Sequence, residues 1–166
     1  MANPLAHPLA PGPGTSSPWG LIQHVEAFAE AGVFVSTASH GGAWLSPEAQ
    51  ARMPAGLQPM HGRQWWEEDC EILAPVLMFG ADGGLHRSDV ILGLHRWYPG
   101  WLDALAPVCG VPNAAQVGRI LDLHAQIRPD GKPDLTAWTR VRLSGAVSGE
   151  IGAAFFTIAA DGEAVG

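Results

Sequence analysis

The sequence predicts an α+β fold, with an N-terminal β-hairpin and C-terminal strands packed against about four to five short helices. Three observations lead there. β-branched and aromatic residues gather in residues 21–39 and again in residues 136–143 and 151–159, a composition that fits a pleated, half-buried surface. The middle of the chain carries helix-start chemistry and apolar residues at helical spacing. At 166 residues and 17.5 kDa, the chain is the size of one domain with one core.

Residues 1–18 hold five prolines with glycine and serine, which denies them both helix and ladder hydrogen bonds. They read as a flexible Pro/Gly-rich tail that at most lies along the surface, with a single domain running from residue 19 to 166. In residues 21–39, Ile22, Phe28, Phe34 and Val35 are available for a core and Ala31-Gly32 is placed to turn a hairpin. Helical spacing of Ile22, Val25 and Ala29 is the alternative for the first part of this stretch. Ser46-Pro47-Glu48 supplies a capping hydroxyl, a proline where no N–H is needed and an acid in the first turn, so a short helix is expected from there to about Met53, stopped by Pro54. Residues 64–79 read as a longer helix with Pro75 kinking it or closing its first portion.

Ser88 is a candidate cap for a helix over residues 89–97, in which Val90, Ile91, Leu94 and Trp97 form one stripe. Tyr98-Pro99-Gly100 ends it, residues 101–108 form a further short helix, and Asn113 caps another over residues 114–127. His124 lies on the apolar face of that last helix and reads as a core histidine. Beyond a turn-rich break at residues 129–133, the C-terminal strands follow.

Composition excludes several functional classes. The net charge is −7, the sequence pI is near 5.3, and Lys132 is the only lysine, so the basic surface that phosphate contacts require is missing and direct nucleic-acid binding is not expected. No apolar run approaches the roughly eighteen residues of a membrane span, and the opening residues lack the basic start of a signal peptide. A cytoplasmic location follows as the expectation. Cys70 and Cys109 form no C-x-x-C pair and read as reduced thiols buried as small hydrophobes. An acidic protein of this kind suits a basic partner surface; no cofactor is called for, and the oligomeric state is left open.

Polar chemistry is concentrated in Ser39-His40-Gly41-Gly42 and in Trp65-Trp66-Glu67-Glu68-Asp69-Cys70-Glu71. On a helical wheel, Asp69 falls among Trp65, Trp66, Ile72 and Leu73 while Glu67 and Glu71 face away. A carboxylate stranded there needs a partner, and Ser39, His40 or the amides of a Gly41-Gly42 turn are the natural ones. In one reading Asp69 pins the hairpin to the helix. In the other, His40 is a general acid or base oriented by Asp69, with Glu68 as a second carboxylate. Trp44 and Trp66 are aromatic candidates for a contact surface, though aromatics beside leucines usually pack inside.

Other chemistries fit less well. Ser39 and His40 are adjacent, so on a strand they point to opposite faces, and no G-x-S-x-G elbow is present. A zinc site from His40, Asp69 and Cys70 with one of His24, His61 or His86 lacks any recognised ligand spacing, so no metal is expected. Ser-Thr-x-Ser on a strand is similar to ADP-ribosyltransferases, but no E-x-E follows.

The segment from residue 33 to 71 resembles an uncharacterised domain family of small proteins of phages, plasmids and integrative elements of proteobacteria. The residues that carry it are Val35-Ser36-Thr37, Ser39-His40-Gly41-Gly42, Leu45-Ser46, Met53-Pro54 and Trp66-Glu67-Glu68-Asp69-Cys70-Glu71. Trp97-Tyr98-Pro99 matches a further motif, and nothing after Cys109 does. The resemblance implies a mobile-element setting rather than a reaction. The expected function is therefore a non-catalytic, anti-defence type of inhibitor that binds the basic surface of a host protein, through Glu67 and Glu71 among others. The alternative is a small hydrolase or transferase using His40, Asp69 and Glu68.

Overall fold

The computed structural model describes residues 7–80, 85–127, 148–151 and 154–157. The fold is α+β, and the chain divides into two compact units, Met1–Gly84 and Leu85–Gly166.

The first unit is built on an antiparallel meander. A two-residue ladder, β1 (Ser16–Ser17) with β2 (Gly20–Leu21), precedes a four-stranded sheet of β3 (His24–Phe28), β4 (Gly32–Ser36), β5 (Gly41–Leu45) and β6 (Trp65–Glu67), in that spatial order. The proline-rich start is tied to this unit. The Gly14 amide donates to Ile22, the Ile22 amide donates to Thr15, and Ala10 packs against the core. The His7 ring lies 5.6 Å from Trp44, with Nε2 3.3 Å from a Glu48 carboxylate oxygen.

Register explains the core. Val33 pairs with Trp44, which pairs with Trp65; these share one face with Val35 and Gly42, and Ile22 covers them. Phe34, Ala43 and Trp66 line up across three strands on the opposite face, because successive side chains alternate. All five residues of β5 are buried, as befits the strand covered on both sides.

The expected hairpin is present, but its turn is Phe28–Ala31, with Ala29 in the left-handed region at φ 47°. Gly32 is the first residue of β4 rather than part of the turn, and a side chain there would run into the Trp44 carbonyl. Gly41 and Gly42 are likewise strand residues, not an amide-lined turn. A Cβ on Gly42 would collide with the Trp19 ring and the Trp66 carbonyl, so these glycines serve close packing.

α1 (Pro47–Arg52) matches its sequence signal: Ser46 Oγ accepts from the Ala49 amide at 3.1 Å, and the helix ends at Met53. Residues 64–79 do not form the single expected helix. Trp65–Glu67 is strand β6, and helix α2 is only Leu73–Phe79. Pro75 is the third residue of α2, where its missing N–H has no intrahelical partner to lose.

In the second unit, α3 (Arg87–Trp97), α4 (Pro99–Cys109) and α5 (Ala114–Ile127) follow in succession. α3 starts before Ser88, which is buried in its first turn instead of capping it. Asn113 and Gln116 form a reciprocal capping box, with bonds of 2.9 Å and 3.0 Å. Asp103 on α4 accepts from the Ala114 amide at 2.8 Å, which ties α4 to the start of α5. Leu94, Leu102 and Leu105 are fully buried, whereas Trp97 is largely exposed with Arg96 over its ring. β7 (Ser148–Ile151) and β8 (Ala154–Thr157) pair antiparallel. The strand expected over residues 136–143 and the side chain of His124 lie outside the described residues.

Candidate functional site

The site grows from the β4–β5 turn. Thr37 organises it: its amide donates to the His40 carbonyl at 2.8 Å, and its hydroxyl donates to the same oxygen at 2.8 Å. The same hydroxyl oxygen accepts from the His40 amide at 3.2 Å. A threonine three residues ahead of a histidine thereby fixes where His40 leaves the turn, a local side chain-to-backbone motif that sequence reading passed over. Ser39 is exposed in the same turn.

β6 runs beside β5, so its last residue and the two that follow arrive next to His40. Glu67 pairs with Gly42, and the Glu68 amide donates to the Gly41 carbonyl at 3.2 Å. Glu68 Oε1 lies 3.4 Å from His40 Nδ1, and Glu67 Oε1 lies 3.9 Å from it. Gly41 makes this approach possible, since a Cβ there would stand 2.6 Å from Glu68 Oε2 and 2.8 Å from the Val35 carbonyl. The His40 side chain is 49% exposed, Glu68 34% and Glu67 21%. His40, Glu67 and Asp69 each offer a ligand atom within 4.8 Å of the other two.

The burial of the acids reverses the helical-wheel expectation. Asp69 is exposed, and Glu71 is the buried carboxylate. Glu71 Oε1 accepts from the Met60 amide at 2.8 Å and Oε2 from the Glu67 amide at 3.3 Å. Glu67 Oε2 in turn accepts from the Cys70 amide at 3.2 Å. These bonds close a turn over residues 67–72, which is why the chain leaves strand β6 without continuing as a helix. Asp69 therefore does not pin the sheet to a helix face, and Glu71 is removed from any contact surface.

Trp44 and Trp66 are also interior: both are buried, and the Trp66 indole N–H donates to the Arg63 carbonyl at 3.0 Å. Neither presents a face to a partner. Burial raises the Cys70 thiol above its ordinary range, and the charges of Glu67, Asp69 and Glu71 push it further up. Cys70 is not among the three residues whose ligand atoms converge, nor are His24, His61 and His86. An open hollow of about 420 Å³ lined by Ala27, Glu30, Arg52 and Phe79 among others contains none of the site residues. No described helix is long and apolar enough to cross a membrane.

What converges, then, is a histidine with three consecutive acids, of which Glu68 and Asp69 face the rim and Glu67 is turned inward. One imidazole and three carboxylates can hold a cationic group, orient a proton transfer, or bind a cation. No curated protein and no solved structure matches the chain. Residues 12–118, a span that takes in the β4–β5 turn and the whole acidic cluster, match the family described as a domain of unknown function, DUF7007, and the chain belongs to that family.

Proposed function

We propose that the chain is a mobile-element accessory protein of the cytoplasm that acts by binding, and that it inhibits a host defence or regulatory protein by presenting the Glu68–Asp69 rim beside His40 to a basic surface. The mobile-element setting rests on the resemblance of the Ser-His-Gly-Gly and Trp-Glu-Glu-Asp-Cys-Glu segments. The observation that carries the binding mode is the rim itself: Glu68 and the exposed Asp69, adjacent carboxylates that follow the edge strand β6, in a protein of net charge −7. Such a face steers encounter with a cationic partner and rejects anionic ones.

The test is affinity capture from a host lysate with the wild type and with Glu68→Lys/Asp69→Lys. A host protein retained by the wild type should be lost with the charge-reversed variant. It should also elute as salt rises from about 0.1 M to 1 M, where the Debye length falls from about 10 Å to about 3 Å. The same proteins captured equally by both, in a salt-insensitive manner, would eliminate the acidic-rim reading.

A second reading is favoured by the 3.4 Å approach of Glu68 to His40 Nδ1, the arrangement of an imidazole oriented by an acid for proton transfer. Glu68 rather than Asp69 would then be the orienting group. Loss of the biological effect in both His40→Ala and Glu68→Gln, with charge reversal at Asp69 tolerated, would select this alternative.

A further inference from the structure

We propose that His40, Glu67 and Asp69 form a binding site for one divalent cation of the kind that accepts imidazole, Zn²⁺ or Mn²⁺. The proposal does not depend on a protein partner. Three donors from two separate places in the chain, the β4–β5 turn and the end of β6, bring ligand atoms within 4.8 Å of one another. Donors about 2.0–2.2 Å from a tetrahedral ion stand roughly 3.3 Å apart. Closing the set takes about an ångström of side-chain movement, within reach of the exposed Asp69 and His40 side chains by rotation about χ1 and χ2.

Glu67 has one carboxylate oxygen held and the other unmatched. Its Oε2 is held by the Cys70 amide at 3.2 Å, while Oε1 is sealed from solvent and meets no hydrogen-bond donor among the described residues. A carboxylate oxygen left this way carries a desolvation cost that a nearby cation would remove. That oxygen is also the one turned toward His40, at 3.9 Å. Its placement on the strand end, braced by the Cys70 amide, resembles the outer-shell support that orients metal-binding carboxylates.

The donor chemistry sets the class of ion. Two carboxylates balance a dication, and an imidazole nitrogen favours Zn²⁺ or Mn²⁺ over Mg²⁺, which prefers oxygen and keeps its water. Glu68, whose Oε1 lies 3.4 Å from the same His40 Nδ1, stands beside the set as a further carboxylate that adds to its attraction for a cation. Because three protein ligands do not fill a coordination sphere, the remaining positions open to solvent on the rim.

The test is titration of the purified full-length protein with ZnCl₂, MnCl₂ and MgCl₂ separately, followed by calorimetry and thermal denaturation. Zn²⁺ or Mn²⁺ should bind saturably at one site and raise the thermal midpoint as its concentration grows; Mg²⁺ should do neither. His40→Ala and Asp69→Asn, both at exposed positions, should each weaken the affinity by about tenfold or more while leaving the metal-free midpoint unchanged. His24→Ala and His61→Ala should bind as the wild type does. Absence of saturable binding, or binding that survives both His40→Ala and Asp69→Asn, would overturn the site. Because no partner is present in these measurements, their failure leaves the capture experiment on the acidic rim standing.

Discussion

Glu71 does structural work that its neighbours do not. Glu71 is buried, and one of its oxygens holds the Met60 amide and the other the Glu67 amide, so Glu71→Ala removes the acceptor of two part-buried backbone donors and should cost about 1–3 kcal/mol. Asp69→Ala, on the exposed rim, should change stability by less than about 0.5 kcal/mol; urea unfolding of the two variants compares them directly, and equal small effects would contradict this assignment. Asp69 still acts on its neighbour Cys70. Since burial and then the surrounding carboxylates raise that thiol, less thiolate is present at neutral pH than for a free cysteine. Alkylation of Cys70 should therefore be slow at pH 7 and accelerate as pH climbs beyond the ordinary thiol range of about 8.5. Asp69→Asn, by removing one negative charge, should speed it at fixed pH. Peptide mass spectrometry, which separates Cys70 from Cys109, reads both effects. The residue types of the site are plain in the sequence, since a histidine beside paired glycines and a run of acids stand out from an apolar background. Which acid turns inward is not, because that depends on whether residues 65–67 lie on a helix or a strand, and tryptophan fits either.

At the scale of elements, local chemistry was legible wherever it was self-contained. The Ser46-Pro47-Glu48 start, the Asn113 cap and the Tyr98-Pro99 break each satisfy backbone groups within a few residues, and each appears as the sequence implies. Elements decided by distant neighbours were not. Gly32, Gly41 and Gly42 look like turn residues in isolation, yet the structure needs them because Trp44, Glu68, Trp19 and Trp66 approach from other segments. Gly42→Ala would force the Trp19 ring and the β6 backbone apart and should destabilise the chain by about 1–3 kcal/mol through overpacking. Gly56→Ala, where a Cβ meets nothing within 4 Å, should be within about 0.5 kcal/mol of neutral. Thermal denaturation of the pair checks the contrast, and a neutral Gly42→Ala would mean that β5 and β6 are less closely packed than described.

For the molecule as a whole, charge is the property most directly read from composition. With nine basic and sixteen acidic residues, the chain should bind an anion exchanger at neutral pH and pass through immobilised heparin or duplex DNA at about 0.1 M salt, since its net negative charge opposes approach to a polyanion. Retention on either polyanion would contradict the expectation, drawn from charge, that the chain does not bind nucleic acid. The two compact units also differ in how their aromatic rings are set. In the first, Trp19 meets Trp65 edge-on, with planes 88° apart and centroids 5.7 Å apart; in the second, Tyr98 and Trp101 stack nearly parallel at 10° and 4.1 Å. Transition dipoles held so close and at such different angles couple differently, so the two pairs should contribute distinct circular-dichroism bands in the ultraviolet. Heating the intact chain while following both bands then asks whether the sheet that bears the acidic rim melts together with the helices or apart from them, without any label or cut in the chain.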